Sequence, residues 1–461
     1  MPGPRAIPAT GPLRVLASNP RYFTDGSGKA IYLAGSHTWN NFAMDQGIND
    51  PPGEFDYSGY LDFLISHNHN FFRGWIWELP YSLQDTGGPF RWSPFPWLRN
   101  GPGMATDGKL RFDFDQFNQA YFDRIRSRVI AARDRGIYVS IMLFQGFALQ
   151  YNRTSSDGFP FDGRNNINGV DAGTGYAAHT LQIPVVTSRQ VEYVKKVIDA
   201  VNDLDNVLYE ISNECGSYAT AWQYYMINLI HEYEAGMPKQ HPVGMTFQYS
   251  GGSNAELFSS PADWISPNEA DGYQADPPPA DGRKVLINDT DHSYYWVALK
   301  NDGTAAQQRW VWKNFTRGNQ ALFMDPYLTK YYPGRNNPSG NNPLEPNFGL
   351  EPDPYWDIIR DALGRTKTYA RKMDLAHMIP QVSLSSTTYC LANVGMEYLV
   401  YQPSPNTSFT VTLPDGIYRV EWYNPTTGVA SAAGTVNGGG DIRFAAPFSG
   451  DAVLYLTNQM G

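Results

Sequence analysis

The chain has 461 residues, more than one ordinary core accommodates, which points to one large domain with a smaller partner. Its formal net charge is −10, with 35 Lys and Arg against 45 Asp and Glu, and no basic run breaks that balance; a polyanionic partner such as nucleic acid is excluded. Two cysteines, Cys215 and Cys390, neither build a disulfide scaffold nor have zinc-ligand spacing, and no run of eighteen apolar residues suggests a membrane span.

In chain order, a rhythm of short apolar strands, each followed by a helical or loop segment, sets in at residue 31. IYLAGSHTW (31–39) is the first strand, and FDYSGYLDFLISHNHN follows with apolar residues at helical spacing. NFFRGWIWE (70–78) is the second; after it comes an insertion rich in Pro, Gly and Trp, then a helix over FDQFNQAYFDRIRSRVIAARDRG that ends at Gly136. IYVSIMLFQG (137–146) is the third strand, and NVLYEISNE (206–214) is the fourth, after a helix within VTSRQVEYVKKVIDAVNDL. HPVGMTFQ (241–248), ADWISPN (262–268), KVLINDTD (284–291) and QALFMDP (320–326) are weaker but similarly spaced. Residues 354–378 read as closing helices.

Eight parallel-type strands with intervening helices predict a closed (β/α)8 barrel over residues 1–379, including an N-terminal lead-in. SHTWNNF stands after strand one where a dinucleotide fold needs a glycine-rich turn. From about Pro380 the apolar period becomes two, in EYLVYQP, SFTVTLP, IYRVEWYNP, DIRFAAP and AVLYLTN, with turns such as PDG and NGGG between them. Residues 380–461 therefore read as a small antiparallel β-sandwich, short enough to lean on the barrel for part of its burial.

YEISNECG (209–216) poses the functional question. Asn213 and Glu214 either cap the following helix or form the working end of a buried strand. In a (β/α)8 barrel the residues that meet substrate lie at the C-terminal ends of strands, which brings Asn213 and Glu214 from strand four, and Asp289 and Asp291 from strand seven, to one mouth. Two carboxylates on opposite walls of a cleft suit glycosidic bond cleavage: one donates a proton to the leaving oxygen, and the other attacks or activates water.

Here the chain resembles the clan of (β/α)8-barrel retaining glycoside hydrolases that includes the cellulase family 5 enzymes. The Asn-Glu pair in NEC carries that likeness. The opening FTDGSGKAIYLAGSHTWNNF and the closing VEWYNPTTGVASAAGTVNGGGDIRFAAPFSGDAVLYL look like the bacterial apiosidase-like barrels with a collagen-binding-like C-terminal sandwich. The resemblance implies retaining hydrolysis, with Glu214 as acid/base, Asn213 on the substrate's 2-hydroxyl, and the nucleophile at the end of strand seven. The chain departs from its relatives there, presenting Asp289, with Asp291 two residues on, where they typically have Glu. Because aspartate is one methylene shorter, inversion stays open beside retention: gaps of roughly 5–5.5 Å suit the latter and roughly 6.5–9.5 Å the former. A barrel that binds carbohydrate without cleaving it also stays open.

Asp289 is the favoured second carboxylate, with Asp291 as the alternative. His37 and Trp39 after strand one, Glu78 after strand two, Gln145 after strand three, Trp296 after strand seven and Asp325 after strand eight are the expected substrate contacts. Arg73, earlier in strand two, either orients the nucleophile or forms a structural ion pair. Glu269, in a second Asn-Glu pair, is a decoy. The acidic FDFDQF (112–117) reads as helix capping. Without an HExxH or calcium-loop pattern, neither metal nor cofactor is expected. The Asn- and Gly-rich stretches 149–173 and 329–349 are long loops suited to narrowing the cleft. The expected partner is an oligosaccharide or polysaccharide, with no nucleic acid and no membrane. The opening MPGPRAIPATGPLRV lacks a signal peptide's apolar core, yet secretion or a periplasmic location is expected, since an excised leader leaves the same appearance.

Overall fold

The computed structural model describes residues 7–39, 41–82, 90–151, 153–173, 175–293, 304–327, 352 and 354–459. Eight parallel strands close a barrel: β1 (Ala34–His37), β2 (Phe71–Gly74), β3 (Tyr138–Gln145), β4 (Val207–Asn213), β5 (Val243–Thr246), β6 (Trp264–Ser266), β7 (Val285–Asp289) and β8 (Gln320–Met324). Closure comes where β8 returns to β1, with Met324 opposite His37. Every residue of these strands is buried, which is why they read as continuous apolar runs rather than as alternating patterns.

The outer layer includes α1 (Tyr57–Ser66), α2 (Gln119–Arg133), α3 (Pro184–Val201), α4 (Thr220–Glu234), α5 (Asn254–Ser259), α6 (Thr304–Thr316) and α7 (Asp357–Lys372). Asp56 caps α1 by accepting from the Gly59 N–H at 2.9 Å, and Ser253 with Glu256 forms a capping box on α5. After α2, Gly136 turns the chain left-handed at φ 75°, and its N–H donates to the Arg133 carbonyl at 2.9 Å.

One expectation is corrected. FDFDQF does not open a helix: Leu110–Phe117 pairs antiparallel with Trp97–Met104 in a two-stranded ribbon of the β2–α2 insertion. Asp113 accepts from the Asp115 N–H at 3.0 Å and from Gln116 at 2.7 Å, and α2 starts after Asn118 without a side-chain cap. Alternation of Phe with polar residues, here a true period of two, is what the helical reading overrode.

At the N-terminal end of the barrel, Arg14–Val15 pairs with Phe23–Thr24, and Leu13 and Phe23 close a cluster with Leu33, Phe71, Leu208 and Trp264. At the other end of the chain, a six-stranded antiparallel sheet faces a two-stranded one formed by Phe409–Leu413 and Gly440–Phe444, consistent with the small sandwich expected. Val400, Val411, Trp422 and Leu454 are among the residues that fill its core. The opposite face lays Tyr401, Tyr423 and Tyr455 against Trp312 of α6 and Tyr369 of α7, so the domain does lean on the barrel. Cys215 and Cys390 are buried and unbridged. Among the described residues, no helix is long and apolar enough to cross a membrane.

Candidate active site

The strand reading of YEISNECG is the one the fold adopts. β4 runs to Asn213, a 3-10 turn follows at Ser217–Ala219, and α4 begins at Thr220 with no side-chain cap. Glu214, the first residue past the strand, has φ 46°, a left-handed conformation that costs a non-glycine residue about 1 kcal/mol or more. That twist leaves Glu214 partly exposed while Asn213 and Cys215 on either side are buried.

Arg73 of β2 organises the charges beneath. Nε donates to Glu210 Oε2 at 2.8 Å and Nη2 bonds Oε1 of the same carboxylate at 2.5 Å, a two-point grip across the barrel. Nη1 reaches Asp289 Oδ2 at 3.0 Å and Asp291 Oδ2 at 3.1 Å, and Nη2 also donates to Asn213 Oδ1 at 2.7 Å. Burial works against the guanidinium's charge, but Glu210, Asp289 and Asp291 hold its pKa above the ordinary arginine value. Arg73 is thus both the buried ion pair and the neighbour of the strand-seven acids.

Asp289 is fully buried. Its Oδ1 accepts from the Asp291 N–H at 3.0 Å, and its Oδ2 lies 2.9 Å from His37 Nε2, off the line of a hydrogen bond. The Trp75 indole donates to His37 Nδ1 at 2.7 Å, which leaves the imidazole's proton on Nε2, facing that carboxylate. Burial works to raise the pKa of Asp289, yet His37, Arg73 and His292 together hold it below the ordinary carboxylate range. Asp291 shifts the other way: burial raises it, Arg73 pulls it down, and the nearby Asp289 charge adds to the rise. Two acids two residues apart are therefore shifted in opposite directions.

His292 donates through Nε2 to Asn213 Oδ1 at 3.1 Å, while Ser266 Oγ stands 2.8 Å from its Nδ1. Burial and the charge of Arg73 push its pKa well below the ordinary histidine value. With Oδ1 taken by Arg73 and His292, the Asn213 amide is fixed; among the described residues its Nδ2 has only a long 3.5 Å contact, with Gln145 Oε1. Gln145 Nε2 is buried and, among the described residues, has no hydrogen-bond partner. The two amide groups are unspent donors at the end of β3 and β4.

A second chain of contacts supports the turn after β4. Glu78 Oε1 accepts from the Gln145 N–H at 3.3 Å and from His179 Nε2 at 3.2 Å. His179 Nδ1 lies 3.1 Å from the Cys215 sulfur, which is 2.9 Å from Ser212 Oγ. Burial opposes charge on His179, but Cys215 and Glu78 lift its pKa to about 10. Gly146 makes this closeness possible, since a Cβ there would stand 2.6 Å from the Cys215 backbone.

The fold thus gathers Asn213, Asp289, Asp291, His37 and Gln145 at one end of the barrel, with Glu214 adjacent and Glu78 behind them. Asp325 is placed differently from the expected substrate contact: its oxygens grip Arg360 at 2.7 and 2.6 Å and accept from the Tyr327 N–H at 2.8 Å. Trp39 is nearly buried, its carbonyl accepting from Trp77 at 2.8 Å. Glu269 is exposed, and its carboxylate accepts from Gln274 at 3.4 Å. Trp296 and the loop 329–349 lie outside the described residues. Among the described residues, no group of His, Cys, Asp and Glu is arranged to hold a metal ion.

No protein-family model matches the sequence, and no curated protein matches it. Solved structures do resemble it in fold. A glycoside hydrolase family 5 protein from Bacteroides vulgatus ATCC 8482 is 13% identical, with 98% of this chain and 94% of that chain covered at a TM-score of 0.60. A candidate glycoside hydrolase from the same organism is 15% identical over 97% of this chain and 82% of that chain, with a TM-score of 0.65. A third structure, a glycoside hydrolase, is 11% identical, covers 98% of both chains and has a TM-score of 0.58. At such identities the likeness is one of fold: a (β/α)8 barrel like that of glycoside hydrolase family 5, with a separate C-terminal β-sheet domain.

Proposed function

We propose that the protein is a secreted or periplasmic glycoside hydrolase that cleaves O-glycosidic bonds in plant or bacterial polysaccharides or their oligosaccharides, in the manner of apiosidase-like retaining barrels. The observation that carries this reading is that Glu214, turned out of β4 by a left-handed backbone, directly follows Asn213, whose amide shares Arg73 with the buried Asp289. In this reading Glu214 donates a proton to the departing sugar oxygen, and Asp289, kept ionised, attacks the anomeric carbon. Nδ2 of Asn213 donates to the 2-hydroxyl, a bond that strengthens as positive charge builds at the neighbouring carbon.

Asp291 in place of Asp289 is the second reading, favoured by exposure: Asp291 retains 7% and Asp289 none. A screen of defined oligosaccharides supplies the substrate, and proton NMR of the first anomer released separates retention from inversion. On that substrate Glu214→Gln is expected to lose about 10³-fold in turnover with its fold intact. Near-normal hydrolysis by this variant would reject the assignment.

A further inference from the structure

The N-terminal end of the barrel, opposite the catalytic cluster, holds an open pocket of about 710 Å3 between α7 and the lead-in segment. Ile31 before β1, Asn70 before β2 and Tyr138 at the start of β3 place it at the strand origins. Its lining carries three cations, Arg135, Lys367 and Arg371, and, among the described residues, no carboxylate, in a chain whose net charge is −10.

The three cations are not equivalent. Arg135 is neutralised by Asp62, 2.8 Å away. Lys367 is only 4% exposed, and among the described residues its ammonium has neither a hydrogen-bond nor an ion-pair partner. Its charged neighbour is Arg371, one helical turn on and on the same face of α7, which opposes rather than supports a second positive charge. Burial and Arg371 together push the Lys367 pKa down to about 7. Elsewhere in this barrel buried cations have carboxylates: Arg360 has Asp325, and Arg73 has Glu210. A buried lysine without a counter-charge gives up its proton more easily, and an entering anion restores the charge by supplying the missing partner.

We propose that this cavity is a second, non-catalytic site for a small molecule bearing an oxyanion, with its carboxylate or phosphate seated between Lys367 and Arg371. The volume falls within the roughly 300–1,000 Å3 of small-molecule sites. Ile7, Ile31 and Ile65 offer apolar cover for the body of the ligand, while Lys367 and Arg371 supply the charge. The site does not depend on the catalytic assignment, because it uses none of those residues.

Isothermal titration of the full chain with inorganic phosphate, with glucuronate and with neutral glucose tests it. At low ionic strength at least one of the two anions is expected to bind and glucose is not; which anion binds tells phosphate from sugar acid. Lys367→Met is expected to weaken that binding at least tenfold. Arg371→Gln, at an exposed position, is expected to weaken it about threefold. The anion should also raise the melting temperature of the wild type and leave that of Lys367→Met unmoved, since only a ligand of the native state stabilises it. Absence of binding by both anions, equal binding of glucose, or unchanged affinity in Lys367→Met would overturn the proposal.

Discussion

Arg360 and Arg73 are both buried in the barrel, but the charges around them differ. Arg360, from α7, closes on Asp325 at 2.7 and 2.6 Å, two groups of equal burial and opposite sign, with the partly exposed Asp357 at 2.9 Å on its outer side. Arg73, from β2, faces three carboxylates at once, those of Glu210, Asp289 and Asp291. The first arrangement is a balanced fastening. The second cannot be balanced with every acid ionised, and it resolves by holding Asp289 charged while the pKa of Asp291 rises. An excess of negative charge in a low-dielectric site is a liability for folding, yet it favours a carbon that becomes positive, as an anomeric centre does in an oxocarbenium-like transition state. In the proposed reading, the comparison separates a cluster built for stability from one built for chemistry.

Asp289→Asn should break the comparison most sharply. It removes the ionised carboxylate that His37 and Arg73 favour, so urea denaturation is expected to show a loss of stability smaller than that of leaving a buried cation short of its partner, while turnover of a competent oligosaccharide falls about 10³-fold, about 4 kcal/mol in barrier. If the variant instead unfolds easily and its folded fraction works normally, the Arg73 cluster is a fastening like the other.

Asp325→Asn is the mirror experiment. It takes from the guanidinium of Arg360 its two-point buried partner and leaves the partly exposed Asp357, and losing one partner of a buried pair costs about 3–5 kcal/mol. The expected result is a large drop in unfolding free energy with turnover per folded molecule unchanged. A turnover loss beyond tenfold in the folded protein would return Asp325 to the substrate contacts that its position after β8 first suggested.

How much of this was visible in the sequence follows the same division. The eight strands were legible because doubly buried strands read as apolar runs, and Asn213 and Glu214 because polar residues abruptly end one of them. Arg73 announced a need for a partner but not its identity: Glu210 stands 137 residues away, and inside LYEIS it looks like any strand residue. His179 was missed altogether, since it sits in a short 3-10 turn, Gly175–His179, within the long β3–α3 connection, and only the tertiary fold brings it to Glu78 and Cys215. The ribbon of Trp97–Met104 and Leu110–Phe117 was hidden by its proximity to a strong helix signal, α2, two residues on.

A pH series sharpens the comparison at smaller amplitude. A carboxyl whose pKa is higher in the folded state, as burial makes that of Asp291, binds more protons when native. Stability then falls as pH rises from the ordinary aspartate value of about 3.9 through the raised one. Asp289, depressed mainly by His37 and Arg73 against its burial, works in the opposite sense: it contributes stability above about pH 3.9 that is lost as pH drops through its folded value. Asp291→Asn should therefore gain stability over the wild type as pH climbs from about 4, and the gain should level off once Asp291 has ionised in the native protein. Urea denaturation at stepped pH measures this; a difference that stays flat across the series would mean that Asp291 is ionised throughout and shares no proton equilibrium with its neighbour.

The smallest expected effect lies one contact further out, at Trp75. Its indole N–H fixes which nitrogen of His37 carries the proton, and that proton faces Asp289. Trp75→Phe keeps most of the apolar ring packed beside Trp77, with centroids now 5.8 Å apart, but removes the donor. One hydrogen bond of this kind contributes about 1 kcal/mol, so a modest fall in stability and about a fivefold fall in turnover are expected. Once Nδ1 is free to take the proton, Nε2 presents a lone pair to a carboxylate oxygen, and the charge-holding arrangement around Asp289 loosens. Nitrogen-15 NMR of the His37 ring reports the tautomer directly. A ring that keeps its proton on Nε2 in Trp75→Phe would show that Asp289 alone sets it, and that the indole serves packing rather than the site.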